Sequence, residues 1–263
     1  IRVQYVGICG SDLHFYETGR IGEVVLQKPF VMGHEFCGIV EDSCGVEGAP
    51  PAGTRVALDP AIPCGQCVYC QAGQYNICPQ IRFTGFPPYP GALRPWIAMP
   101  LECVFPIPGG IPMETGPLLE TLAVALHAVE LMPPVKGKTC VVVGAGPVGL
   151  LTLAVARLQG ARVLLAVDPV PERRAMAQVM GAEWSAAPED EKEILAYLKK
   201  ETGHGPDLLF EAAGEPVSYR MAMEWTRPGG AVCVIGIYPD GVMPFDFTPA
   251  RRKELTIQLV RRS

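Results

Sequence analysis

Thr139-Cys140-Val141-Val142-Val143-Gly144-Ala145-Gly146-Pro147-Val148-Gly149 is the stretch from which the fold can be read. Cys140 to Val143 is an apolar run too short for a helix, and it suits a strand buried on both faces. Three glycines follow in the spacing G-x-G-x-x-G. Behind them Val148 to Leu158 is apolar at helical spacing and closes at Gly160. A glycine loop alone is often only a turn. Between a strand and a helix its three glycines allow a tight turn, close approach of backbone to a pyrophosphate, and close helix packing. Gly144, Gly146, Pro147, Val148 and Gly149 are therefore the candidate phosphate cradle of a dinucleotide site, with the anion against the first helical amides.

Outward from that loop, strand and helix alternate. Arg162 to Val167 reads as strand and Glu172 to Met180 as helix. A charged helix from about Glu189 to Thr202 precedes the strand Asp207 to Glu211. Val217 to Thr226 is helix, Ala231 to Ile235 strand, and Glu254 to Val260 a last strand. Repeated units of this kind with right-handed crossovers build a doubly wound parallel sheet, so the fold class is α/β. Asp168 ends the second strand, where an acid binds the adenosine ribose hydroxyls and selects NAD. Arg173 is a candidate to lie over the adenine, although it reads equally well as a solvated helix charge.

Upstream the texture differs. The region to about Leu118 is Pro-rich and reads as strand and loop throughout, without a sustained helical period. Leu118 to Leu131 is then apolar at helical spacing and stops at Pro133-Pro134. Two domains are expected, 1–118 and 119–263. The first residue is Ile1, inside an alternating pattern with Val3 and Tyr5, so the expectation is a chain truncated from a longer enzyme at both ends. Strand edges around Val3 and Tyr5 are then expected to be unpaired.

The 263 residues carry a net charge of −5, with a pI near 5.5, which argues against nucleic acid or an anionic membrane as partner. Mean hydropathy is +0.22, yet Gly, Arg, Pro or Glu interrupts every apolar run before it spans a bilayer, and no signal peptide is visible. Four of the ten cysteines, Cys64, Cys67, Cys70 and Cys78, fall in the spacing C-x2-C-x2-C-x7-C within a polar segment. Four thiolates on one tight lobe close a tetrahedron around structural zinc, in a reducing, cytoplasmic compartment.

A second cluster differs in kind. Cys9, His34 and Glu35 are a thiolate, an imidazole and a carboxylate, the donors that catalytic zinc takes when one position stays open. Ser11 and His14 lie between them, near enough along the chain to pass a proton. Asp12 reads as structural, bonding backbone in the turn. Glu120 on its own reads as a helix N-terminal charge.

Gly7-Ile8-Cys9-Gly10-Ser11-Asp12-Leu13-His14 with Val31-Met32-Gly33-His34-Glu35 resembles the zinc-dependent medium-chain dehydrogenases. His14-Phe15-Tyr16, Gly19-Arg20-Ile21-Gly22 and Lys28-Pro29-Phe30 point to the sorbitol (polyol) dehydrogenase branch. The resemblance covers nearly the whole chain. It implies a GroES-like β-rich catalytic domain followed by a Rossmann domain, with NAD, one catalytic zinc and one structural zinc. It implies oxidation of a secondary alcohol, a polyol or vicinal diol, with a proton relay from Ser11 to His14. It also brings Glu120 to the zinc or its water, alongside Glu35. Polyol dehydrogenases carry Glu-Pro-Leu there, and Thr121 stands here in place of that proline. A homo-oligomer, dimer or tetramer, is expected. A threonine 3-dehydrogenase or a butanediol dehydrogenase is the near alternative, and a non-catalytic nucleotide-binding zinc scaffold the distant one.

Overall fold

A computed structural model of the chain describes residues 1–238, 242–243 and 245–262. Two units emerge, Ile1–Thr121 and Leu122–Arg262.

The first unit opens with β1 (Arg2–Gly7), α1 (Gly10–Thr18) and the ribbon β2 (Arg20–Ile21) and β3 (Val24–Val25). It continues through β4 (Glu35–Ile39), β5 (Arg55–Leu58), β6 (Ala61–Ile62), the single turn α2 (Val68–Gln71), β7 (Arg82–Phe83) and β8 (Val104–Pro106). An antiparallel sheet in the order β1-β4-β5-β8 covers a small core of Phe36, Val40, Val56, Leu58, Ala92 and Ile97. β6 and β7 pair separately beside the cysteine lobe.

Two expectations fail in this unit. The region is not strand and loop throughout, because α1 carries Ser11 and His14. Its apolar residues form no buried stripe, since Phe15 is buried while Leu13 and Tyr16 are exposed. The helix is set by its ends: the Asp12 carboxylate accepts from the Cys9 amide at 3.0 Å, and Gly19 closes the last turn at φ 69°. Nor is the outer edge bare at Val3, although β1 is the edge strand of its sheet. Val3 and Tyr5 lie opposite Gly38 and Cys37 on β4, and on the other side the Val3 amide donates to Pro95 and that of Ile97 to Ile1.

The second unit is regular. It takes in most of α3 (Leu118–Glu130), then β9 (Thr139–Val143), α4 (Pro147–Leu158), β10 (Arg162–Val167), α5 (Pro171–Val179) and β11 (Trp184–Ala186). After these come α6 (Glu191–Thr202), β12 (Leu208–Glu211), α7 (Pro216–Trp225), β13 (Ala231–Val234), α8 (Thr248–Arg252) and β14 (Thr256–Leu259). All six strands are parallel, in the order β11-β10-β9-β12-β13-β14. Strand order reverses between β9 and β12, and in such sheets ligands bind at that switch, beyond the carboxyl ends of the strands.

Alternate residues of each strand enter opposite cores. Cys140, Val142, Leu208 and Phe210 pack on one face, and Val141, Val143 and Leu209 on the other. β10 keeps this division only because of a register shift between Val163 and Leu165. Val163 and Ala166 thereby reach the first core, and Leu164, Leu165 and Val167 the second. This double burial is why the strands read as unbroken apolar runs. No helix among the described residues is long and apolar enough to cross a membrane.

Candidate active site

The first site is assembled by strand pairing. Gly7 at the end of β1 lies opposite Glu35 at the start of β4, so Cys9 and the pair His34-Glu35 arrive from neighbouring strands. Their ligand atoms, the Cys9 sulfur, a His34 ring nitrogen and a Glu35 oxygen, all lie within 4.8 Å of one another. Asp12, 3% exposed, locks the two segments together. One carboxylate oxygen accepts from the Cys9 amide at 3.0 Å; the other accepts from Gly33 at 3.2 Å and lies 3.8 Å from His34 Nδ1. A carboxylate there favours the His34 tautomer protonated on Nδ1. Asp12 is thus structural, as expected, but its reach to Gly33 and His34 is not visible in the sequence. Phe83 adds a ring contact to His34 at 5.4 Å, and Phe15 packs on Phe86 at 5.6 Å.

The donor set asks for a cation. Burial, and after it the Glu35 charge, pushes the Cys9 thiol up to about 11, while the Ser11 amide and hydroxyl pull it the other way. Burial also raises Glu35, against the polar groups of Cys9 and Thr121 nearby. Glu120, in the first turn of α3, is pushed up to about 8 by burial, then by the charges of Glu35 and Asp59. Acids crowded away from water are stabilised as anions when a metal ion takes their electrons. Glu120 therefore belongs to the neighbourhood of Glu35, although it is not among the three groups whose ligand atoms close to 4.8 Å. Asp59 went unnoticed in the sequence, and no motif marks it. Ser11 and His14 stand three residues apart on α1, neighbours on one helical face.

The second sulfur site is closed. Cys64, Cys67, Cys70 and Cys78 bring their sulfurs within 4.8 Å of one another. The Cys67–Cys70, Cys64–Cys70 and Cys67–Cys78 separations are 3.5, 3.9 and 3.9 Å. A tetrahedron with metal–sulfur bonds of about 2.3 Å has edges of roughly 3.8 Å, so the four thiols fit structural zinc. Amides of Gln66 and Cys67 aimed at Cys64 hold its thiol down, at about 6. Cys67 caps α2, its sulfur accepting from the Cys70 amide at 3.5 Å.

The glycine loop lies in the second unit at the strand-order switch. Gly144 (φ 92°) could carry no Cβ, which would lie 2.7 Å from the Ala212 carbonyl carbon beyond β12. A Cβ on Gly149 would overlap the Gly144 oxygen. At Gly146 a Cβ would meet no atom within 4 Å, so its bare Cα leaves room for a ligand to approach. Pro147 opens α4, and Val148 and Gly149 follow in the first turn, where helical amides lack internal partners. The cradle fits a pyrophosphate. Asp168, 3% exposed, accepts from the Ala145 amide at 2.8 Å and the Val170 amide at 2.9 Å, which ties the loop to the end of β10. The half-exposed Arg173 guanidinium stands 3.7 Å from Asp168. Arg174 instead bonds the Asp168 and Pro169 carbonyls, both at 2.8 Å.

Known proteins resemble this chain along nearly all of its length. Residues 1–109 match the family described as the alcohol dehydrogenase GroES-like domain, and residues 147–263 match zinc-binding dehydrogenase. A protein named "Probable D-xylulose reductase A" from Emericella nidulans is 38% identical over 262 residues, 98% of this chain and 73% of its own length. Sorbitol dehydrogenase of Bacillus subtilis is 36% identical over 247 residues, 94% of this chain and 70% of its own. The crystal structure of L-idonate 5-dehydrogenase from Escherichia coli superimposes with a TM-score of 0.89 at 30% identity, covering 99% of this chain and 75% of that one. The chain belongs to the zinc-dependent medium-chain dehydrogenases, in their polyol dehydrogenase branch.

Proposed function

We propose that the chain catalyses reversible hydride transfer between NAD and a secondary alcohol of a polyol or vicinal diol, giving the ketone. The observation that carries this reading is the convergence of Cys9, His34 and Glu35 within 4.8 Å, with Ser11 two residues beyond Cys9 on α1. The sorbitol, xylulose and idonate enzymes among its relatives support the substrate class. Zinc held by Cys9, His34 and a carboxylate of Glu35 or Glu120 supplies the Lewis acidity that eases loss of the alcohol proton, and NAD at the glycine loop supplies the hydride acceptor.

The remaining work falls to side chains. The Ser11 hydroxyl would take up the alcohol proton and pass it on toward His14, which would release it to water. Imidazole suits that exit because it both accepts and releases protons near neutral pH. Gly144, Gly146, Pro147, Val148 and Gly149 seat the pyrophosphate. Asp168 receives the adenosine ribose hydroxyls, and Arg173 lies beside the adenine. The four-cysteine lobe holds the second zinc and keeps its fold. Its thiols, spaced for a metal, support a reducing, cytoplasmic compartment. β14 ends the sheet, pairing with β13 alone among the described strands, which supports association of copies as a homo-oligomer.

The test is initial rates on sorbitol, xylitol, threonine and 2,3-butanediol with NAD and with NADP. The polyols with NAD should be fastest. Faster turnover of threonine or 2,3-butanediol moves the substrate class, and no turnover of any alcohol leaves the nucleotide-binding scaffold.

A further inference from the structure

Glu35 sits in an unusual seat. Gly7 is its partner across the β1–β4 ladder, and a Cβ added to Gly7 would overlap Glu35 Oε2 and lie 3.0 Å from Glu35 Cβ. The carboxylate is therefore folded back over the bare Cα of Gly7, toward the turn that carries Cys9. Any larger residue at position 7 would push it off. Gly7 has no left-handed backbone to explain its presence, because its φ is not among the positive ones. Close approach is the reason glycine stands there.

Thr121 bounds the same carboxylate from another element. It follows Glu120 in the first turn of α3, is 1% exposed, and its Oγ1 is shut off from solvent. That hydroxyl meets no partner at full hydrogen-bond geometry among the described residues. The Glu35 carboxylate lies within interaction range of that hydroxyl. A buried hydroxyl left unpaired is costly, so a small rotation that closes a bond to the carboxylate is favoured.

We propose that Gly7 and Thr121 are positioning residues that together aim the Glu35 carboxylate at the Cys9–His34 metal site. The inference rests on the reading of Cys9, His34 and Glu35 as metal ligands. Gly7 supplies the space into which one oxygen folds. Thr121 supplies a donor that holds the carboxylate against rotation, so a ligand oxygen is presented before the metal arrives. Groups that orient a ligand in this way contribute on the order of 10- to 100-fold to metal affinity when they are removed singly.

The experiment compares the wild-type chain with the variants Gly7→Ala, Thr121→Val and Thr121→Ser, all loaded with zinc and dialysed against graded chelator. Zinc per chain is then counted. Cobalt exchanged into the Cys9 site provides a second readout, through the thiolate-to-metal absorption band. Thr121→Val should give up the Cys9-site metal about 10- to 100-fold more readily and shift the cobalt band, while Thr121→Ser keeps wild-type retention. Gly7→Ala should behave as Thr121→Val. The zinc of the four-cysteine lobe should stay in every variant and report that the unit is folded. If Gly7→Ala does not fold, the Val and Ser pair at position 121 decides alone. Wild-type retention by Thr121→Val, or Ser behaving as Val, overturns the proposal. Failure of the underlying reading looks different: wild type itself, like Cys9→Ala, would then carry only the lobe zinc.

Discussion

The two units of this chain are ordered by different means. Leu122–Arg262 buries both faces of a six-stranded sheet, and fully covered Val, Leu, Ala and Phe side chains hold it. Ile1–Thr121 has a four-stranded sheet over a much smaller apolar core, and around it run short strands, tight turns and two groups of metal-type donors. Hydrophobic burial scales with apolar area, so the first unit draws on other sources of order. Those sources are the Asp12 clasp, the cysteine lobe and the glycine approaches. The comparison teaches that the Cys9, His34 and Glu35 donors lie in the unit with the smaller apolar core, where the local scaffolding of α1, Asp12 and Gly7 fixes them.

The comparison breaks first, and hardest, at the Cys9 site. Replacing Cys9 or His34 by Ala should lower kcat by about 10³-fold or more, since a Lewis-acid metal supplies several kcal/mol to the barrier. The melting of the purified chain should change little, because an open site contributes less to the fold than a closed one. A variant that loses its fold together with its activity would erase the distinction between the two metal sites.

Next comes the closed site. Cys67→Ser or Cys70→Ser should cost a few kcal/mol, because metal binding at such a lobe is folding free energy. At roughly 2–4 °C per kcal/mol for a chain of this size, melting should fall by about 10 °C. Hydrogen exchange should show the loss in residues of the first unit and leave β9 and β12 protected. Uniform loss of protection would mean the units do not differ as described.

These contrasts also explain what the sequence discloses. In the second unit the inner strands β9, β10, β12 and β13 are runs of buried residues, and α4, α5 and α6 are each followed within two residues by glycine, so boundaries such as Arg162–Val167 are plain from the letters alone. The cysteine spacing is equally plain, because a tight lobe needs near neighbours. α1 is not legible. Its residues Ser11, Asp12, His14 and Glu17 show no amphipathic repeat, and its start depends on a carboxylate that also reaches Gly33, twenty-one residues away. The roles of Gly7, Asp59 and Thr121 are hidden for the same reason: each acts on a residue brought near only by the β1–β4 pairing or by α3. The bulge at Leu164 leaves no trace either, since its neighbours are apolar on both sides.

Cofactor selection tests a buried charge of the second unit, that of Asp168. A ribose 2′-phosphate about 4 Å from Asp168 would cost about 4 kcal/mol at an effective dielectric of 20. A third of that after screening by Arg173 still gives about tenfold preference for NAD. Asp168→Ala should erase the preference in kcat/KM and, by freeing the Ala145 and Val170 amides, raise KM for both cofactors. Equal efficiency with NADP in the unaltered protein would sink the assignment.

The smallest effect sharpens the same contrast from the polar side of the second unit. Asp207 joins the start of β12 to the start of β9, accepting from the Thr139 amide and hydroxyl, both at 2.9 Å, and from Arg227 Nε at 2.8 Å. Burial alone would raise its carboxyl, but the Thr139 and Arg227 hydrogen bonds outweigh burial and hold it below its ordinary value of 3.8. A carboxyl lowered in the folded state is protonated more readily in the unfolded one. Stability therefore rises with pH where the unfolded chain binds the extra proton. The contribution is complete above the unfolded value and is lost as pH falls through the folded one. Asp207→Asn should then cost about 1–2 kcal/mol at neutral pH, the scale of hydrogen bonds to a charged group. The gap from wild type should narrow below pH 4, as wild type loses what the variant never had. Urea unfolding at pH 7 and pH 3 measures both gaps, and equal gaps would show that the Asp207 charge contributes nothing to joining the two strands.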